Sequence, residues 1–327
     1  MLRAVRSRFW CTHNTGAARS LLLTCLLLCS HSPVIAAEQS SPARLASQSL
    51  LLDITRVEQK FVAVGERGHL LISTDKGRNW RQIQVPTRSQ LTAVYFQSKT
   101  HGWAVGHDAV ILSTTNGGET WSLQHFDKQY DDPLLDVWFG DEKNGYAIGA
   151  YGLFLSTNNG GKSWDRRQIS EDDFHLNAIT SFNKNELFIA AEQGNLYHST
   201  DGGYSWSSIP SPYPGSFFGI SAINEDELLV YGLRGHLYHS TDKGQNWQEI
   251  PTGTEASLMD AIVLKNGTIH IVGLGGNILT SIDQAKSFSL KTRNDRKTLT
   301  AITENEDGQL VISGSAGISI DDGVSGE

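Results

Sequence analysis

A motif of eight residues returns along this chain at a nearly constant interval, and that interval limits the fold more than any other feature. Ser73-Thr-Asp75-Lys-Gly77-Arg-Asn-Trp80 is matched by Ser199-Thr-Asp201-Gly-Gly203-Tyr-Ser-Trp206 and Ser240-Thr-Asp242-Lys-Gly244-Gln-Asn-Trp247. Thr114-Thr-Asn116-Gly-Gly118-Glu-Thr-Trp121 and Thr157-Asn-Asn159-Gly-Gly161-Lys-Ser-Trp164 lie between them, and Ser281-Ile-Asp283-Gln-Ala285-Lys-Ser-Phe288 is a worn sixth copy. The closing aromatics are spaced by 41, 43, 42, 41 and 41 residues. Upstream of the boxes, alternating runs begin at Leu51, Leu91, Leu134, Leu176, Phe217, Leu258 and Leu299, seven in all. Each is followed by a short apolar run ending in Gly or Ala, a Gly-containing turn and a third run that enters the box. Such runs, rich in β-branched and aromatic residues and punctuated by turn signals, read as strands. Four strands per repeat, closed into a ring, predict an all-β protein: a seven-bladed β-propeller of four-stranded blades.

The box itself reads as a hairpin between third and fourth strands. Its Asp or Asn side chain accepts turn amides, its second Gly supplies a positive φ, and its Trp fills the gap between blades. Repeated carboxylates therefore read as turn formers. One active site does not need five copies, and the oxygen density of a Ca²⁺ loop is missing. A last box is read at Ser319-Ile-Asp321-Asp-Gly323, after which blade seven lacks a fourth strand. The expectation is that Ala43–Gln48 supplies it, so that the N-terminal strand closes the ring and leaves no open sheet edge.

Composition bounds the function once the N-terminus is considered. Residues 1–37 read as a secretory signal: four arginines without an acidic residue, the apolar run Leu21–Cys29, and Val34-Ile35-Ala36-Ala37 before the cut. The remaining domain, 38–327, keeps 23 basic against 35 acidic residues, a net charge of −12. Cys11, Cys25 and Cys29 all leave with the signal, so disulfides, thiol nucleophiles and thiolate metal sites are not expected. Leu28 precedes Cys29 where a lipid-attachment site wants a small residue. The negative charge argues against nucleic acid as partner, because such binding rests on phosphate neutralisation. No run of the mature chain is long and apolar enough for a transmembrane segment. No cofactor and no metal site are expected.

The boxes, with Gly102-Trp-Ala-Val-Gly106 and Gly145-Tyr-Ala-Ile-Gly149, resemble those of the Asp-box (bacterial neuraminidase repeat) propellers, and most of all the photosystem II stability/assembly factor family. The resemblance covers residues 50–323. It implies an exported, non-enzymatic scaffold that binds a membrane protein complex or its subunits through an arginine patch; a monomer is expected. The location would be the periplasm, or the thylakoid lumen in a photosynthetic host. The alternative is a glycan-binding or glycan-hydrolysing propeller like a sialidase or glucanase. Against it stand the missing Phe-Arg-Ile-Pro motif and the lack of inserted loops that would build a channel for substrate.

Residues between the repeats carry what individuality the chain has. In a propeller, the turn joining strands two and three shares a face with the link to the next blade. That face carries Arg67, Arg88, Arg234, Arg293 and Arg296, with Lys297. Closure would make blades six, seven, one and two contiguous, so four of these arginines are expected to form one partner-binding patch with Arg234 at its margin. Asp127, Asp131, Asp132 and Glu171-Asp172-Asp173 occupy the other half, with Tyr130 in the longest link. A face split by charge suits orientation of a partner. No catalytic residue is assigned, and His69 and His236 read as surface residues of equivalent turns.

Overall fold

The computed structural model describes residues 38–127 and 132–322. The expected signal sequence, Tyr130 and Asp131 lie outside them. Strands pair into seven antiparallel sheets, six of four strands and one of three. The innermost strands are Leu51–Val57, Leu91–Phe96, Leu134–Phe139, Leu176–Asn183, Phe217–Ala222, Leu258–Val263 and Leu299–Glu304. Each packs against the next, and the last against the first, so the ring is closed. The chain is a seven-bladed β-propeller.

The second strands explain why apolar runs replace strict alternation. Gly102–Gly106 is buried throughout because a neighbouring blade covers each of its faces. Val62, Leu70 and Ile72 of blade one interlock with Leu91, Val94, Leu112 and Trp121 of blade two. Each such side chain contributes roughly 1.5–3 kcal/mol by leaving water.

The boxes fold as expected, with one donor that spelling alone did not reveal. Asp75 Oδ1 accepts from Asn79 N at 2.8 Å and from Ser73 Oγ at 2.8 Å. Ser73 Oγ in turn accepts from Gly77 N at 3.1 Å, so the leading Ser is the hub of the turn. The Gly118 φ of 88° suits glycine, and a Cβ there would lie 3.2 Å from Ile72 of the preceding blade. Trp121 donates to Gly118 O at 2.9 Å and is buried between blades one and two.

Closure departs from expectation. Ala46–Gln48 is a 3₁₀ turn, not a strand, and the seventh sheet has three strands among the described residues: Leu299–Glu304, Leu310–Gly314 and Ser319–Asp321. Ala46 is buried with Leu51 and Ala301 in the gap between blades seven and one, and Ile318 N donates to Ser47 O at 3.0 Å. Residues 40–43 instead follow the outer edge of blade one. Ser40 N donates to Val85 O at 2.9 Å, and the Gln82 side chain bridges Ser41 O and Ala43 N. The seam itself is fastened by Lys76 and Arg78 on Asp307 at 2.5 and 3.3 Å and by Arg56 on Glu306 at 3.4 Å.

The last box is also shifted. Leu310 pairs with Asp321 as Phe61 pairs with Ser73, so Asp321, not Ser319, occupies the box Ser position. Starting a box at Ser319 would leave Ile318 alone after the Gly317 turn to form the third strand.

Candidate functional site

The predicted face is built as one layer. A Cβ on Gly68 would lie 2.4 Å from Thr87 O of the following link, and one on Gly235 would lie 2.1 Å from Thr254 O. The residue before the turn glycine also has positive φ in four blades: Arg67 at 55°, Tyr151 at 52°, Gln193 at 54° and Arg234 at 57°. Two successive left-handed residues make a tight reversal of the I′ kind. The first of the two stands at the apex, so Arg67, Tyr151, Gln193 and Arg234 are each exposed here, whereas blade six has Gly275 in that place.

The structure brings the predicted arginines together in pairs. Arg67, from the blade-one turn, and Arg88, from the link to blade two, line one pocket of about 300 Å³ with Glu66, His69, Ser49, Leu45 and residues 41–43. Arg88 Nη1 donates to Glu38 Oε1 at 2.6 Å. Across blade seven, Arg293 and Arg296 stand over the Leu274–Gly276 turn of blade six, where a Cβ on Gly276 would lie 3.1 Å from each. Arg293 is tied to Ser319 Oγ at 2.7 Å and Asp295 at 3.0 Å, whereas Arg296 and Lys297 are exposed. Arg234 belongs to a separate cavity of about 430 Å³ with His236 and Glu249.

His69 corrects the surface reading. It is buried, its Nδ1 2.9 Å from Ser49 Oγ, and burial lowers its pKa. His236 remains partly exposed beside Glu249, at 3.0 Å. In the half expected to be acidic, Glu171, Asp172 and Asp173 line a cavity of about 490 Å³ with Arg166, Arg167 and Tyr151, so the charge there is mixed; the Tyr151 ring meets His175 edge-on at 4.9 Å.

Sequence reasoning passed over the central channel. Every inner strand carries a β-bulge after its first residue, as between Leu51 and Asp53 or Leu91 and Ala93. The bulge turns two consecutive side chains into the channel. Asp53, Asp136 and Asp260 each span a blade seam, accepting from their own following amide and from Val94, Ile179 and Ile302 N at 2.7, 2.9 and 2.8 Å. Thr92, Asn177 and Thr300 then donate across the next seams to Leu134, Phe217 and Leu51 O at 2.7 Å. Tyr231 reaches the channel past Gly219, where a Cβ would lie 2.2 Å from its ring.

The channel cavity is about 390 Å³, and among the described residues that line it there is no Lys, Arg or His. Burial pushes the Asp53 carboxyl up to about 6, against the pull of its two amide donors. Burial, with repulsion among the three, takes Asp136 and Asp260 to about 7. The signal was present in Leu51-Leu-Asp53, Leu134-Leu-Asp136 and Leu258-Met-Asp260, where other blades place Ala or Gly third.

The family profile described as "Photosynthesis system II assembly factor YCF48" matches residues 72–132 and 124–320. The chain belongs to that family. Among individual relatives, photosystem II stability/assembly factor HCF136 of Cyanidioschyzon merolae is 41% identical over 59 residues, 17% of this chain and 14% of that protein. The photosystem II assembly lipoprotein Ycf48 of a Synechococcus species is 29% identical over 153 residues, 46% of this chain and 34% of its own length. The aligned stretches thus span about a third or less of these relatives. In three dimensions the chain is similar to the solved structure of YCF48 bound to D1 peptide: TM-score 0.69, 18% identity, 89% of this chain and 98% of that one. Streptogramin B lyase is similar too, with a TM-score of 0.72 at 16% identity, covering 87% and 97%. At such identities the likeness is one of fold, and the same fold serves unlike chemistries.

Proposed function

We propose that the chain is an exported, non-enzymatic scaffold, monomeric in solution, that docks a subunit of a membrane protein complex during assembly or stabilisation. The observation that carries this reading is the convergence of Arg67 and Arg88 in one pocket, on the face that also presents Arg293 and Arg296. Guanidinium groups pair with carboxylates in planar, bidentate fashion and desolvate more readily than ammonium groups, so they favour an acidic segment. A chain this acidic overall repels most such segments, which makes a local basic corner selective. Membership in the family, and a solved relative described with a D1 peptide bound, support a membrane-protein subunit as the partner.

The test is capture from detergent-solubilised membranes of the source organism, with the retained subunit identified by mass spectrometry. Arg67→Glu, Arg88→Glu and Arg296→Glu together should abolish capture while leaving the melting temperature nearly unchanged. Arg293 is left intact because it also holds Ser319. Capture that survives the triple reversal, or release of reducing sugar from glycans by the purified chain, would overturn the reading. Export predicts an intact mass that begins near Glu38.

A further inference from the structure

We propose that the arginine pocket of blade one is a carboxylate site capped by the chain's own N-terminal segment, with Glu38 in the place of a partner's side-chain carboxylate. The inference rests on the docking reading above and deepens it. Residues 41–43 and Leu45 form one wall of the pocket. They are anchored on blade one by Ser40, which is buried, donates to Val85 O at 2.9 Å and accepts from Val85 N at 3.0 Å. That anchor fixes the chain two residues short of Glu38 and delivers its carboxylate to Arg88 at 2.6 Å.

The contact is made to be exchanged. The two side chains are 51% and 74% exposed, so the pair is worth little to folding. Glu38 satisfies only half of the site: Arg67 makes no ion pair among the described residues and faces the same pocket. An incoming carboxylate can engage both guanidinium groups, which Glu38 does not. Electrostatics point the same way. With the Glu38 side chain seated, its carboxylate covers the Arg88 guanidinium; with it displaced, that guanidinium is open to an incoming carboxylate. A tethered carboxylate competes at an effective concentration on the order of millimolar. Isolated acidic side chains therefore lose to Glu38, while a segment carrying several carboxylates displaces it.

The experiment is fluorescence anisotropy with a fluorescein-labelled poly-glutamate peptide titrated with the purified chain. Glu38→Gln should tighten binding about two- to five-fold, the range an exposed ion pair supports. Arg88→Gln should weaken binding, and Glu38→Gln should have no further effect in that background. Equal affinity of wild type and Glu38→Gln overturns the cap, as does equal tightening with and without Arg88, which would report bulk charge alone. The failures are separable. If Arg67→Glu with Arg296→Glu abolishes binding while Glu38→Gln is neutral, the cap is wrong and the docking face stands. If the arginine reversals leave binding unchanged, or the peptide binds no variant, the docking reading falls with it.

Discussion

Two sets of aspartates in this ring accept the same kind of donor and come out with opposite acidities. On the box face, Asp75, Asp201 and Asp283 lie at about 2, held down by donors from Asn79, Ser205 and Ser287. In the channel, Asp53, Asp136 and Asp260 accept two backbone amides each, yet lie at about 6 to 7. Each box carboxylate has one donor more, the hydroxyl of its leading Ser, but burial is the larger difference between the two sets. A box carboxylate keeps bulk water on its open side, so hydrogen bonds to the charged form prevail. A channel carboxylate is enclosed by seven blades, shares its cavity with two like charges and meets no cation among the lining residues.

Stability should therefore bend in opposite directions with pH. The box groups have depressed folded pKa values, so their contribution is present above about 4 and is lost as pH falls toward 2. The channel groups have raised values, so theirs is present below about 4 and is lost as pH climbs through 6 and 7. Maximum stability is expected in the mildly acidic window between.

The largest expected effect comes from Asp136→Ala. It strands the amides of Val137 and Ile179 in a buried seam, at roughly 2–4 kcal/mol for two unsatisfied donors. Urea unfolding at neutral pH measures it, and a loss no larger than that of a box mutation breaks the comparison. Next is Asp201→Ala, whose freed Ser205 amide turns to solvent; on the order of 1 kcal/mol is expected from the same assay. Smallest as a change of slope, but more telling, is Asp136→Asn. It keeps an acceptor oxygen for one of the two amides at a pH-independent cost and removes one titration, so the fall in stability between pH 5 and 8 should be shallower than in wild type. An unchanged slope would mean the channel carboxylates titrate normally.

Much of this was legible in the sequence, and the misses share a cause. Blade count, the box turn and the link face follow from spacing, because each blade repeats one local solution. Closure does not repeat. Whether residues 43–48 form a strand or a turn is decided by Ala46 fitting the gap between blades seven and one, a contact nearly the whole chain apart in sequence. The arginines share the face of turns and links that the spacing implied, but which of them lie together depended on contacts that no spacing encodes, such as Glu38 for Arg88 and Ser319 for Arg293. His69 was misjudged for a like reason: its turn position is exposed in outline, and the N-terminal segment covers it.

The docking face is the centre of the account, and site-specific photo-crosslinking tests it most directly. Leu45, 63% exposed beside the arginine pocket, and Tyr204, 69% exposed on the box face, offer equally open positions on opposite sides of the ring. A photoreactive residue at 45 should crosslink a membrane-protein subunit in solubilised membranes, with yield falling as salt rises, while one at 204 should not. Crosslinking from 204 to the same subunit with comparable yield would place docking on the box face and contradict the account.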